Sequence, residues 1–195
     1  MGHIVSAAGF EVDQSKTSAL RSCRAPTNKS ELRSFLGLAN VYRRFVPDFA
    51  KKARPLTLFL KNDGPESFEL DEAQMDAFCT LKELLCSAEV LALPKKGCRY
   101  VLDTDASGGQ VGCVLEQEQG GALRQVGYWS KKLNAAEENY STTEKEDLAV
   151  VWAVRLLRPY LEREKFTVRT DHAALRWIYT TTDGNARVLR RAGLS

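Results

Sequence analysis

The sequence predicts a mixed α/β layer fold in its second half, and three observations predict it. The hydrophobic period changes from about 3.6 residues to two at Arg99. Three strand-like runs then follow one another with glycine turns between them. A helix that is apolar almost all round comes next, followed by one more strand and a short helix. Consecutive strands with a buried helix and a returning strand make a layered sheet-and-helix domain.

The elements read as follows along the chain. Val5 to Val12 alternates as a β-hairpin with its turn at Ala8-Gly9, and a short helix covers Ser15 to Arg21. Ala25-Pro26 breaks the chain. Asn28 with Glu31 three residues on forms a capping box for a helix whose buried face is Leu32, Phe35, Leu36, Ala39 and Tyr42. Lys29, Arg33 and Arg44 fall in a narrow arc beside that face, giving a basic edge. Pro47 and Pro55 punctuate the next stretch, and Asn62-Asp63-Gly64-Pro65 is a loop. Asp71 with Gln74 caps a helix carrying Phe78, Leu81, Leu84 and Leu85, which ends before Pro94. Arg99 to Asp105, Gln110 to Gln117 and Leu123 to Ser130 are three antiparallel strands, turned by Ser107-Gly108-Gly109 and Gly120-Gly121. Thr143 with Glu146 forms a capping box that opens the apolar helix through Leu157. Phe166 to Thr170 is a strand and Asp171 to Ile178 a short helix.

Composition excludes several classes. No apolar run is long enough to cross a bilayer, so no membrane partner is expected, and nothing reads as a secretory signal. Met1 to Ser6 fits an acylation pattern, but the hairpin reading of Val5 to Val12 points to a domain interior. Five cysteines, odd in number and without a CxxC pair, argue for reduced thiols in an intracellular compartment and against a zinc site. Between Arg21 and Lys61 there are ten basic residues and two acidic ones. That excess favours a phosphate backbone as partner, although a solvated helix surface has the same composition.

Four acids stand out in the second half. Asp103 and Asp105 are two apart on a strand and so share a face. Neither belongs beside Tyr100-Val101-Leu102 without a partner. Glu146 lies early in the buried helix, and Asp171 closes the last strand. Converging carboxylates repel unless a cation neutralises them, and oxygen-only ligands suit Mg²⁺ or Mn²⁺. Each acid also has a local explanation: Glu146 as the capping-box acid, Asp171 as a helix cap, Asp105 as a turn residue.

Motifs and their order carry a resemblance beyond these local readings. Leu102-Asp-Thr-Asp-Ala-Ser107 with Val111-Gly-Cys-Val-Leu115, then Tyr140-Ser-Thr-Thr-Glu-Lys-Glu-Asp-Leu-Ala149, then Phe166-Thr-Val-Arg-Thr-Asp-His-Ala-Ala-Leu175 resemble the ribonuclease H domain of gypsy-type LTR retrotransposon polyproteins. Gly2-His-Ile-Val-Ser6, Glu31-Leu-Arg-Ser-Phe-Leu-Gly-Leu-Ala39, Tyr42-Arg-Arg-Phe45, Pro55-Leu56 and the Phe78 to Leu93 stretch resemble the palm end, thumb and connection of the same reverse transcriptase. The resemblance implies a palm remnant over 1–22, a thumb over 23–65, a connection over 66–97 and a ribonuclease H-like mixed sheet with helices over 98–195.

It further implies Asp105, Glu146 and Asp171 as catalytic and metal-binding acids, preferring Asp105 to Asp103 and Glu146 to Glu144. These would hold two Mg²⁺ (or Mn²⁺) ions that cleave the RNA strand of an RNA·DNA hybrid. Lys29, Arg33, Arg43 and Arg44 would contact the hybrid backbone, with Tyr140, Ser141 and His172 beside the site or the substrate. The remaining expected partners are other parts of the polyprotein, the palm and fingers and an integrase. The expected place of action is intracellular, either cytoplasmic, in a virus-like particle, or nuclear. Two departures narrow this expectation. The Tyr-x-Asp-Asp polymerase motif is missing, so no DNA synthesis is expected from this chain alone. The family's fourth aspartate lies past the region matching Arg187 to Arg191, and Asp183 does not match it, so one metal site is expected to be incomplete. The alternatives are a catalytically dead nucleic-acid-binding remnant and a protein-interaction module.

Overall fold

The computed structural model describes residues 3–6, 9–61, 66–162 and 164–170. The chain divides into two units, Met1–Leu91 and Ala92–Ser195. The boundaries expected at 22/23 and 65/66 fall inside the first, and residues 92–97 belong to the second.

The first unit opens with β1 (His3–Ser6) and β2 (Gly9–Val12), paired antiparallel with Ser6 opposite Gly9. That register puts Gly9, expected in the turn, inside the second strand. Gly9 has a φ of 145°, and a Cβ there would sit 2.1 Å from the carbonyl oxygen of Leu91. The next residue, Phe10, exchanges two backbone hydrogen bonds with Leu91 (2.7 and 2.9 Å), so glycine is what lets the two segments approach. Gly9→Ala is expected to destabilise this unit by about 1–3 kcal/mol, read as a lower urea midpoint.

Four helices follow: α1 (Gln14–Ser22), α2 (Lys29–Val41), α3 (Phe49–Lys61) and α4 (Glu72–Cys86), with a 3₁₀ turn at Arg43–Phe45. Leu20, Leu32, Leu56, Leu81 and Leu85 are buried together with Phe35 and Phe78, whose rings lie 4.7 Å apart. α4 packs against α1 and α3, and α2 packs against α3. Two local readings are corrected. Pro55 lies inside α3 and does not break it. A proline in a helix interior costs about 3 kcal/mol, which burial of Phe49, Ala53 and Leu56 along that helix offsets. At α2, Asn28 accepts the Glu31 amide (2.9 Å), but the Glu31 carboxylate turns to the amide and hydroxyl of Thr27. The expected capping box is therefore only half formed. The box at α4, between Asp71 and Gln74, is complete.

The described residues of the second unit form a four-stranded mixed sheet with a helix on one face. Its strands are β3 (Tyr100–Ser107), β4 (Gln110–Gln119), β5 (Ala122–Lys132) and β6 (Phe166–Arg169), in the order β5-β4-β3-β6. The first three form the expected antiparallel meander, and Gly108 and Gly109 turn it with positive φ. β6 joins the opposite edge of β3 in parallel, with Leu102 beside Val168. Two short helices that the sequence reading lacks, α5 (Ala135–Glu138) and α7 (Arg158–Leu161), flank the long helix α6 (Thr142–Leu156). α6 lays Ala149, Val150, Ala153 and Val154 over Leu102, Leu115, Val126 and Phe166. The segment before β3 is held to the sheet by Gln117, whose buried amide bonds both the N–H and the C=O of Lys95 at 2.8 Å. That clamp explains why residues 92–97 go with this unit. The helix expected over Asp171 to Ile178 and the Asn62–Pro65 loop lie outside the described residues.

Candidate active site

Two of the expected acids come from elements that touch at the C-terminal end of β3: Asp105 from the strand and Glu146 from α6. β6 pairs with Tyr100 to Asp103 only, so past Asp103 that edge of β3 has no strand partner among the described residues. The amide of Ala106 donates instead to Glu146 Oε1 at 3.3 Å. An amide nitrogen is about 2.4 Å from the preceding Cα, so this oxygen lies within about 6 Å of the Asp105 Cα. Asp105 itself is exposed.

Glu146 is held there by its helix. The sequence reading offered it as the capping acid paired with Thr143, and the structure removes that reading. The N-cap of α6 is Ser141, whose hydroxyl accepts the Glu144 amide, and Glu144 Oε2 accepts the Ser141 amide (2.8 Å) and hydroxyl (2.7 Å). Those bonds hold the Glu144 carboxyl below its ordinary pKa. Glu146 lies a half-turn further on, on the side of Ala149, Val150 and Ala153 that meets the sheet, and is only 4% exposed. Its Oε2 is buried. A helix rarely turns a carboxylate toward a sheet without a polar or ionic purpose.

Asp103 has a different environment. Arg169 of β6 donates from Nε and Nη2 to both Asp103 carboxylate oxygens, and from Nη2 to Glu116 Oε2 on β4. The sequence reading required a partner for Asp103 but did not find Arg169. The cue was the parallel register, which puts Asp103 beside Arg169 and which periodicity cannot supply.

The other expected residues are scattered. Asp171 and His172 lie outside the described residues. Tyr140 is exposed just before α6, and Ser141 is occupied as its cap. The basic edge expected along α2 is not one strip. Only Arg33 of the four is exposed on that helix, because α2 ends at Val41, and Arg43 and Arg44 sit in the 3₁₀ turn. Arg43 lies over the Phe49 ring at 5.5 Å. Lys29 is 8% exposed, and its backbone N–H donates to the Glu66 carbonyl.

The donor set at the strand end is all oxygen, which fits a hard divalent cation and does not suit zinc. Cys113 is not a competitor, since burial pushes its thiol up to about 12. Among the described residues no group of three His, Cys, Asp or Glu side chains is placed to hold a metal. Of the three expected acids, Asp105 and Glu146 lie among the described residues.

The model of the RNase H-like domain found in reverse transcriptase matches residues 96–194. The chain belongs to that family. The family match covers β3 to β6 and all three expected acids. Pol polyproteins from Drosophila melanogaster are similar over nearly the whole chain. That of transposon opus is 39% identical over 97% of this chain, and that of transposon gypsy 36% over 97%. The chain spans only 20% and 19% of those relatives. A foamy viral protease-reverse transcriptase solved in complex with RNA/DNA hybrid matches 99% of this chain and 27% of its own, with a TM-score of 0.75 at 17% identity. That likeness shows that this RNase H-like domain shares the fold.

Proposed function

We propose that this RNase H-like domain hydrolyses the RNA strand of RNA·DNA hybrids, with Asp105, Glu146 and Asp171 holding Mg²⁺ or Mn²⁺ at the C-terminal end of β3. The observation that carries the reading is Glu146, a buried carboxylate bonded to the amide that follows Asp105. When bound, the metal ions supply an activated water and support the leaving oxygen of an in-line displacement. The chain's part is to fix the carboxylates before substrate arrives. β3 sets Asp105, and α6 sets Glu146 through its packing on the sheet. Asp171 follows Arg169 by two residues in sequence and is proposed as the third ligand. Arg33, Arg43 and Arg44 in the first unit would supply salt-dependent, sequence-independent contacts to the hybrid backbone. The chain would work as one part of a longer polyprotein.

The test is incubation of the purified chain with a labelled RNA·DNA hybrid and Mg²⁺. Cleavage of the RNA strand that Asp105→Asn removes is expected. No cleavage, or cleavage unchanged in that variant, contradicts the catalytic reading. Salt-sensitive hybrid binding without cleavage would instead identify a binding remnant, which the ten-to-two basic excess of residues 21–61 would still serve.

A further inference from the structure

The second unit carries a charged cluster that the proposed reaction does not use directly. It lies on the sheet face turned away from α6, because Asp103 and Glu116 alternate with Leu102 and Leu115, which face the helix core. Arg169 grips Asp103 with two parallel hydrogen bonds and reaches Glu116 with a third, so one side chain joins β6, β3 and β4. Glu116 is largely covered, with an 11% exposed side chain, and also accepts from Gln125 Nε2 at 3.2 Å. The Asp103 bond, above the cluster's other contributions, raises the Arg169 pKa. An arginine fork matched to a carboxylate is the geometry that gives such a pair its specificity.

Asp103 and Asp105 are the same chemical group on the same face of one strand, about 7 Å apart along it. A hard divalent cation cannot distinguish them by type. Their surroundings do distinguish them: both Asp103 oxygens are taken by the guanidinium, and the Asp105 carboxylate is exposed. We propose that Arg169 is a positioning residue that withholds Asp103 from the metal and leaves Asp105 as the only ligand of the pair. This rests on the reading of Asp105 and Glu146 as metal ligands.

Charge makes the proposal measurable. Asp103, Glu116 and Arg169 sum to −1, Arg169→Gln makes the sum −2, and the double variant Asp103→Asn/Arg169→Gln returns it to −1. One added unit charge about 8 Å from a divalent ion strengthens binding about fivefold in a water-like dielectric. The experiment is Mn²⁺ titration of the whole chain, followed by electron paramagnetic resonance of the free ion, with circular dichroism to verify folding. R169Q is expected to bind Mn²⁺ about fivefold more tightly, and the double variant to return to within about twofold of the unaltered chain. The gain should shrink near 1 M salt, where screening acts over about 3 Å. A merely structural role predicts the opposite, weaker binding in both variants with no return in the double. Asp103→Asn alone keeps the Arg169–Glu116 pair and is expected to weaken binding only about fivefold. A loss of a hundredfold or more there would make Asp103 a ligand and overturn the proposal, as would R169Q binding unchanged or weaker. An unaltered chain that takes up no Mn²⁺ through Asp105 overturns the metal reading itself, and this proposal with it.

Discussion

Glu146→Gln is expected to leave the second unit folded while lowering metal-dependent hybrid cleavage by a hundredfold or more. Glutamine matches the shape of glutamate and keeps a carbonyl oxygen to accept the Ala106 amide, so the 3.3 Å contact survives. What is lost is a negative charge at a site that is 4% exposed. Loss of a residue that merely supports a ligand commonly costs ten- to a hundredfold, so loss of a ligand should cost at least the upper figure. Stability should move the other way. A buried carboxylate is expensive to desolvate, and its neutral isostere is not, so the metal-free variant is expected to melt no lower than the unaltered chain and up to about 1–2 kcal/mol more stably. Thermal melts in chelator, beside cleavage rates in Mg²⁺, check both halves. A variant that melts lower and still cleaves would show Glu146 to be structural.

Leu102→Ala is expected to unfold the second unit or bring it close to unfolding. Leu102 is fully buried on the central strand, flanked by Leu115 on β4 and Val168 on β6, with α6 above. Leucine-to-alanine changes in such positions cost about 2–5 kcal/mol, the larger values arising where neighbours cannot collapse into the cavity. Strands hydrogen-bonded on both edges cannot shift, so the upper part of that range applies. Domains of this size have only about 5–15 kcal/mol in all, so the loss is a large share. Urea unfolding followed by Trp129 and Trp152, both packed on this core, is the measurement. A midpoint unchanged by the substitution would contradict the assigned core.

Much of this was legible in the sequence because the signals are local. The period-two runs with glycine turns located the β3–β5 meander, and Asp71-x-x-Gln74 located the start of α4. What was not legible depends on contacts distant in sequence. Pro55 looked like a break because the burial that tolerates it comes from packing of α3. Thr143 and Ser141 both offer a hydroxyl three residues before a glutamate, and only the fold chooses Ser141 with Glu144, which frees Glu146 for the sheet. Arg43 and Arg44 were read on a helix that ends at Val41, so the basic edge was drawn too long. Arg169 was invisible as the partner of Asp103 because the parallel pairing of β6 with β3 joins residues 66 apart. The motifs preferred Asp105 to Asp103, and the structure adds a physical distinction in the arginine fork.

Asp105 and Glu146 are proposed to hold a divalent cation at the end of β3. A crystal of the chain grown in Mn²⁺, with anomalous scattering measured for manganese, tests it most directly. An anomalous peak is expected about 2.0–2.6 Å from carboxylate oxygens of both Asp105 and Glu146, with Asp103 still held by Arg169. Manganese bound elsewhere, or bound through Asp103 while Asp105 stays clear of it, would contradict the account.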